Sequence, residues 1–375
     1  MSGGWARQCW GPLPMLKRAF PSLASMVLAL VLCFVAIGLT RVGFGSALSA
    51  YAQMFWGGFG DLPRFLRTGA GSALANPWGE TATKGALLTL TGLSVGVAYA
   101  AGLFNIGAQG QLVVGALVAA VLGAQVRLPA PLHLPLCLLG AAGAGGLYGA
   151  FPAWLKLKRG VHEVLSTIML NWMAVTLVEN WLVPGPLRAI TEGTQSRSGT
   201  EQILASAELP RLLGAASRLH LGFPLAALLA WGCWLWLYRT THGFETRAVG
   251  LNPAAAETAG IPVGRRMGQA MALAGALAGL AGAVLVLGTE HQYPAILSAP
   301  YGFDGIAMAM LGQANPIGIG LVSLLFGALR AGGTRMQLLG VHKSFPELIQ
   351  GIALLLVAAR LLWERLGDRL FRRVL

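Results

Sequence analysis

Long apolar runs, each close to the length that crosses a lipid bilayer, constrain this chain more than any other feature. A transmembrane helix needs about 20 mostly apolar residues. Runs of about this length occur at residues 22–40, 82–102, 107–126, 130–154, 161–183, 221–238, 267–288, 316–334 and 346–363. A shorter run at 302–313 fits a half-length or re-entrant helix. The sequence therefore predicts an all-α polytopic membrane protein, a bundle of about ten transmembrane helices that includes broken or re-entrant helices.

The distribution of charge fits a membrane protein and argues against a nucleic-acid-binding one. Only 11% of the residues are charged and 55% are hydrophobic, whereas soluble domains carry roughly a quarter charged residues. The net charge of +13 is scattered along the chain and forms no basic face interleaved with aromatic residues. If the spans alternate from a cytoplasmic N-terminus, four basic clusters fall on one side, as the positive-inside rule expects. The clusters are Arg7, Lys17 and Arg18; Lys156, Lys158 and Arg159; Arg239, Arg247, Arg265 and Arg266; and Arg365, Arg369, Arg372 and Arg373.

This orientation predicts the domain organisation. Residues 1–21 form a cytoplasmic N-terminal segment, residues 22–364 a single transmembrane domain, and residues 365–375 a basic cytoplasmic tail. Within the domain, residues 184–220 form an external loop and residues 239–266 a cytoplasmic loop. Both termini are then cytoplasmic, although three basic residues near the last span fall on the outer side, against the rule. These are Arg330, Arg335 and Lys343.

Polar residues at membrane depth indicate where a solute could pass. The segment Leu103–Leu112 carries amides and glycines between two apolar runs. A helix interrupted in lipid is tolerated only where protein packs against it or a wet cavity opens beside it. Asn and Gln offer both donors and acceptors, which suits a neutral polar solute, although hydrogen bonding between helices is an alternative role for each. The candidate pathway residues are Asn105, Gln109, Gln111, Asn171, Asp304 and Asn315.

Several catalytic or metal-binding patterns can be set aside. Gly92–Gly96 has the spacing of a nucleophile elbow, but Ser94 lies inside an apolar helix and not at a strand-to-helix turn. His162-Glu163 begins like a zinc-binding helix motif, yet position 166 is Ser. The dipeptide Gly-Lys never occurs, so the chain has no phosphate-binding P-loop. We therefore expect no catalytic residue, no metal and no cofactor on this chain.

The loop after the sixth run predicts a short, rigid helix. Asn252 can cap it, Pro253 suits its first position, Ala256 and Glu257 extend it, and Gly260 ends it. A flexible tether would suffice to connect two spans, so a stiff cytoplasmic helix indicates docking into the groove of a partner protein. A well-folded loop without a partner is the alternative.

Three segments of the chain resemble motifs of one transporter family. They are Phe104-Asn105-Ile106-Gly107 with Gly110-Gln111; Gly160 to Ala174; and Gly302-Phe303-Asp304-Gly305 followed by Gly312 and Asn315-Pro316-Ile317-Gly318. In this order the chain resembles the permease subunits of bacterial ATP-binding-cassette importers for nucleosides, simple sugars and related polar solutes. It departs from the family at Gln109, where Glu is usual, and at His162, where Asn is more usual.

The resemblance implies a function and a set of partners. The chain would translocate a small polar solute, most readily a nucleoside, across the bacterial inner membrane by alternating access. The loop around residues 250–261 would be a coupling helix seated on an ATPase subunit, which binds ATP and Mg. A second permease subunit, homologous or identical, and an extracytoplasmic solute-binding protein complete the assembly. Ribose-like sugars and branched-chain amino acids are alternative solutes, and a passive solute channel is the alternative of another class.

Overall fold

A computed structural model of the chain describes residues 15–39, 43–189, 199–214, 217–297, 299–342 and 344–358. These residues form fourteen α-helices and no strand beyond two isolated bridges, Gly199 with Pro294 and Arg211 with His220. The helices are α1 Met15–Gly38, α2 Gly43–Phe59, α3 Leu62–Thr68, α4 Ser72–Ala100, α5 Ala108–Gln125, α6 Ala130–Arg159, α7 Glu163–Leu177, α8 Gly222–Arg239, α9 Thr241–Leu251, α10 Pro253–Thr258, α11 Val263–Leu285, α12 Tyr301–Leu311, α13 Pro316–Met336 and α14 Phe345–Ala358. The prediction of an all-α membrane protein is confirmed.

Over its described residues, each apolar run of the sequence coincides with a helix. By length and composition, four helices of the described chain are long and apolar enough to cross a membrane: Ala108–Gln125, Ala130–Arg159, Val263–Glu290 and Pro316–Met336. The range Val263–Glu290 joins α11 to a π-helical turn, Val286–Glu290, and α7 continues in the same way into Val178–Leu182. π-helical turns often occur at functional sites.

The described residues divide into two compact units. The first contains the chain up to Tyr51 and from Met336 onward, where α1 packs against α14 and the Tyr51 hydroxyl donates to Leu30 O. The second contains residues 52–335 and all of α3 to α12. The predicted segment 1–21, domain 22–364 and tail 365–375 remain predictions. Residues 1–14 and 359–375, with the basic residues that they carry, lie outside the described part.

Close backbone packing forms the centre of the second unit. On α6 and α11, Gly145, Gly149, Gly275 and Gly279 face one another, and a Cβ on any of them would meet backbone atoms of the other helix within about 3 Å. Small residues let helices in lipid approach to backbone contact. The buried helix α4 packs on α11, α12 and α8. These contacts fix the positions of the polar segments described below.

Two interruptions of the helical structure meet beside α4. The first is the chain between Ala101 and Gly107, which separates α4 from α5. The second is the start of α12, an 11-residue helix about 16 Å long, roughly half of the hydrocarbon thickness of a bilayer. The run at 302–313 is therefore a half-length helix. Its Gly305 packs against Thr91 in the middle of α4.

Candidate functional site

An amide cluster fixes the interruption between α4 and α5. The Asn105 Nδ2 donates to Ser94 Oγ at 3.1 Å and to Gln111 Oε1 at 2.9 Å. Its Oδ1 accepts from Gly107 N at 3.0 Å and from Gln111 Nε2 at 3.1 Å. Asn105 is fully buried. Every polar atom of this side chain is therefore bonded to protein.

Two further amides connect this break to neighbouring helices. Asn171 on α7 accepts from Gly110 N at 2.7 Å and donates to Ile106 O at 2.6 Å. Gln109 Oε1 accepts from Gly302 N, 2.8 Å away, at the start of α12. Gln109 thus joins one interruption to the other. The family that the chain resembles usually has a glutamate at this position, which could accept the same hydrogen bond and would add a negative charge.

The last two predicted pathway residues lie on α12 and at the start of α13. Asp304 forms a buried ion pair with Arg330, with 2.7 Å between Oδ2 and Nη2. Asn315 caps α13, since its Oδ1 accepts from Ile317 N at 3.0 Å. The structure therefore brings Asn105, Gln109, Gln111 and Asn171 together around the first interruption, whereas Asp304 and Asn315 bond to groups of α13. As solute contacts, all six remain predictions.

A cavity that the sequence did not indicate opens at the other side of the start of α12. It has a volume of about 240 Å³ and lies between α4, the π-helical turn of α11, α12 and the chain that connects these last two helices. Its polar and charged lining residues are Glu80, Thr83, Lys84, Arg218, Thr289, Glu290 and Tyr301. Apolar lining comes from Leu87, Leu285 and Leu297. These residues come from segments that are far apart in the sequence, so no local motif could have predicted the cavity.

Several charged side chains around the cavity bond to neighbouring groups. Arg218 Nε lies 3.4 Å from Glu80 Oε1, and Lys84 Nζ donates to Arg330 O at 3.2 Å. The Arg330 guanidinium, which pairs with Asp304, also lies 5.7 Å from the centre of the Tyr301 ring. Two carboxylates and two cations line the cavity itself, so its charges balance.

Three buried polar atoms around the π-helical turn Val286–Glu290 have no hydrogen-bond partner among the described residues, and one of them belongs to Thr289, which lines the cavity. They are Thr289 Oγ1, His220 Nε2 and His291 Nδ1. The ring of His220 packs against Gly288, and its Nδ1 accepts from Gly222 N at 3.1 Å. Burial lowers the pKa of His220 to about 4, so the ring is neutral and its proton sits on Nε2. Buried polar groups in proteins are ordinarily hydrogen-bonded, so these three atoms are exceptions.

The chain between α11 and α12 forms the roof of the cavity and is held by Glu179. Glu179 Oε1, in the π-helical turn after α7, accepts from the Tyr293 hydroxyl at 3.3 Å and from Leu297 N at 3.1 Å. Burial, with the neighbouring Glu179 carboxylate, raises the pKa of the Tyr293 phenol. The phenol therefore remains a hydrogen-bond donor at neutral pH, and the roof stays attached to α7.

The short helix predicted in residues 239–266 is present at the opposite end of α4. Asn252 Oδ1 accepts from Ala255 N at 3.1 Å, Pro253 opens α10, and Gly260, with a φ of +81°, ends it. Glu257 is exposed and Ala256 is buried. The local helix is as the sequence predicted, while its docking to a partner remains a prediction.

This helix contacts the interrupted segment through one hydrophobic cluster. The cluster contains Ala256 of α10, Val249 of α9, and Ala98, Ala101 and Leu103 around the end of α4. In addition, Gly250 packs so closely on Ala100 and Gly102 that a Cβ would overlap Ala100 O. The α10 end and the cavity are about 24 Å apart along α4, between Ala100 and Lys84. The amide cluster lies between them.

Comparison with known proteins adds a family to this geometry. Residues 79–358 match the family described as the permease component of the branched-chain amino acid transport system. The chain is 37% identical over 351 residues to the guanosine ABC transporter permease protein NupP of Bacillus subtilis, covering 92% of this chain and 95% of that protein. It is 31% identical to the nucleoside ABC transporter permease protein NupB of Lactococcus lactis, over 88% of this chain and 92% of that protein. It is also 31% identical to the glucose ABC transporter permease protein TsgB13 of Haloferax volcanii, over 76% of this chain and 77% of that protein. No solved structure is detectably similar to the chain. The chain therefore belongs to this permease family, as a multi-pass membrane subunit of an ATP-binding-cassette importer.

Proposed function

We propose that this subunit imports a nucleoside across the bacterial inner membrane by alternating access. The similarity to the guanosine permease NupP and the nucleoside permease NupB supports this solute class. A sugar of the ribose type is the second candidate, because the glucose permease TsgB13 is also similar. Branched-chain amino acids are a third candidate, because the family description names them.

The amide cluster forms the closed part of the pathway in this proposal. Asn105, Gln109, Gln111 and Asn171 now bond to protein groups, and the same donors and acceptors bind solute hydroxyls and carbonyls when the two interruptions separate. Asp304 and Asn315 border this route from α12 and α13. Each amide then exchanges one set of partners for another and never remains unpaired in lipid.

In this proposal, α10 is the docking site for the ATPase, and its position defines the side of the membrane on which each partner binds. ABC permeases act with ATPase and solute-binding partners in general, and here α10 seats on the ATPase through Asn252, Pro253, Ala256, Glu257 and Gly260. Both termini and the α10 end then face the cytoplasm, and the cavity faces outward, where a binding protein delivers the solute. A second permease subunit, identical or homologous, completes the pathway. ATP and Mg are bound by the ATPase subunits.

The observation that carries the proposal is the hydrophobic cluster shared by α10 and the interrupted segment. Ala256 and Leu103 are both buried in it. A displacement of α10 by the ATPases therefore reaches the segment that holds Asn105, two residues after Leu103. A passive channel has no need of such a connection.

Uptake of a radiolabelled nucleoside tests the proposal. Cells that lack the chain should lose guanosine uptake, and the wild-type chain should restore it. Glu257→Arg should fail to restore uptake, because it reverses a charge on the exposed face of α10. The matched control Glu201→Arg reverses an exposed charge near the other end of the bundle and should restore uptake.

Copurification of the ATPase with each variant separates the candidate functions. Loss of the ATPase with Glu257→Arg alone supports docking through α10. Full uptake by Glu257→Arg would contradict docking and favour a channel. Guanosine uptake that persists without the chain, together with lost ribose or leucine uptake, would replace the nucleoside by the other solute.

A further inference from the structure

We infer that the cavity between α4, α11 and α12 is a binding site for an uncharged solute that carries hydroxyl groups and a flat ring. Thr289 and Lys84 select this solute. This inference rests on the proposed function and assigns the site at which the solute first binds. The site is distinct from the amide cluster, and the start of α12 separates the two: Tyr301 lines the cavity while the adjacent Gly302 bonds to Gln109.

Unpartnered donors and acceptors are the first argument. Thr289 Oγ1 is buried and has no partner among the described residues, although it belongs to a residue that lines the cavity. Lys84 Nζ has three hydrogens, and one of them is directed to Arg330 O. The ammonium group of Lys84 can therefore bond to a solute hydroxyl or carbonyl without breaking a bond within the protein. The Thr289 hydroxyl is buried beside the cavity and would have no bond to give up if a rotation of its side chain turned it toward the solute.

The charge balance of the cavity is the second argument. Glu80 and Arg218 are paired, and Lys84 faces a cavity that Glu290 also lines. An anionic solute would meet two carboxylates, and a cationic one would meet Lys84 and Arg218. A neutral solute leaves the existing pairs intact and avoids the cost of an unpaired charge.

The apolar and aromatic surfaces are the third argument. Leu87 and Leu285 face the cavity from α4 and α11, and the Tyr301 ring lines it from α12. Pockets of this kind bind flat rings by apolar contact and fix their orientation with a few polar groups. At about 240 Å³, the cavity is smaller than the pockets of drug-sized ligands, which span about 300–1,000 Å³. A nucleoside combines a flat ring with hydroxyl groups, whereas leucine has neither.

The concentration dependence of uptake by cells that carry the complete transporter tests the site. Thr289→Val keeps the shape of the side chain and removes the hydroxyl, so folding should be unaffected. We expect it to raise the half-saturating guanosine concentration about 2- to 10-fold, the effect of one lost hydrogen bond. The control Thr334→Val removes a hydroxyl that bonds to Ala331 O on α13, outside the cavity, and should leave that concentration unchanged.

A second variant tests the charged side of the site. Lys84→Met should raise the half-saturating guanosine concentration at least as much as Thr289→Val, while Lys158→Met, at an exposed position on α6, should not. The amount of assembled complex, measured by copurification of the ATPase, separates a binding defect from a folding defect.

The outcomes distinguish the site from the function. If the wild-type chain imports guanosine and both Thr289→Val and Lys84→Met leave the half-saturating concentration unchanged, the inferred site is wrong and the proposed function stands. If the wild-type chain imports leucine and no nucleoside, the proposed function and the inferred solute class are both wrong.

Discussion

At the scale of single residues, Asn105 determines the geometry of the interrupted segment. Its side chain makes four hydrogen bonds, to Ser94, Gly107 and twice to Gln111. In a buried site, removal of one partner leaves the others unsatisfied, and the lost partner costs more than the bond contributed. The conformation of residues 101–107 therefore depends strongly on this side chain, with one further bond from Asn171 to Ile106 O.

Asn105→Leu should lower the stability of the protein by about 2–4 kcal/mol, because Gly107 N and the Gln111 amide lose buried partners. The midpoint of thermal unfolding of the purified protein measures this effect. Asn180→Leu, at an exposed position after α7, is the control and should change stability by less than about 0.5 kcal/mol. Equal midpoints for the two variants would contradict the role assigned to Asn105.

At the scale of helices, the contact between Gly250 and the end of α4 connects the α10 loop to the interrupted segment. The contact is between backbones, because Gly250 faces Ala100 O and Gly102 N directly. Interiors packed at this density transmit displacement and absorb little of it. Because Gly250 and Gly102 have no side chains, α9 contacts the interrupted segment directly and can displace it.

Gly250→Ala should reduce nucleoside uptake about tenfold, since overpacking of such a contact costs about 1–3 kcal/mol. The transporter should still assemble, because the exposed surface of α10 is unchanged. Gly268→Ala on α11 is the control, since a Cβ there meets no atom within 4 Å. Uptake relative to ATP hydrolysis by the assembled complex is the measurement, and an unchanged ratio would show that this contact carries no coupling.

The same scale shows what the sequence could and could not predict. The cap of α10 was predictable because Asn252 and Pro253 act on their own neighbours in the chain. The position of Asn105 was indicated by a polar residue within an apolar stretch. The cavity was not predictable, because Lys84, Arg218 and Glu290 come together only through the packing of segments far apart in sequence. Asn315 was assigned to the pathway from its polarity, whereas its bond to Ile317 N is the local bond of a helix cap.

At the scale of the second unit, the glycine contact between α6 and α11 holds the bundle together. Gly145 on α6 lies against Gly275 O and Gly279, whereas a Cβ at Gly143, two residues earlier, would meet no atom within 4 Å. The two glycines lie on the same helix and differ in what they face. They therefore provide a matched pair.

Gly145→Ala should destabilise the protein by about 1–3 kcal/mol through overpacking. Gly143→Ala should leave stability unchanged or raise it by up to about 1 kcal/mol, because Ala is the better helix former. Unfolding midpoints of the two purified variants give the comparison. Effects of the same sign and size would contradict close packing of α6 on α11.

The attachment of the cavity roof to Glu179 couples the roof to the extension of α7. A single carboxylate oxygen holds both Tyr293 and Leu297, and it belongs to the extension of α7, which lines no part of the cavity. The walls are made by α4, α11 and α12, so the roof is bonded to a helix that forms none of the walls. A spectroscopic label at the exposed Ile296 would accordingly report any movement of the α7 extension relative to the helices that form the walls.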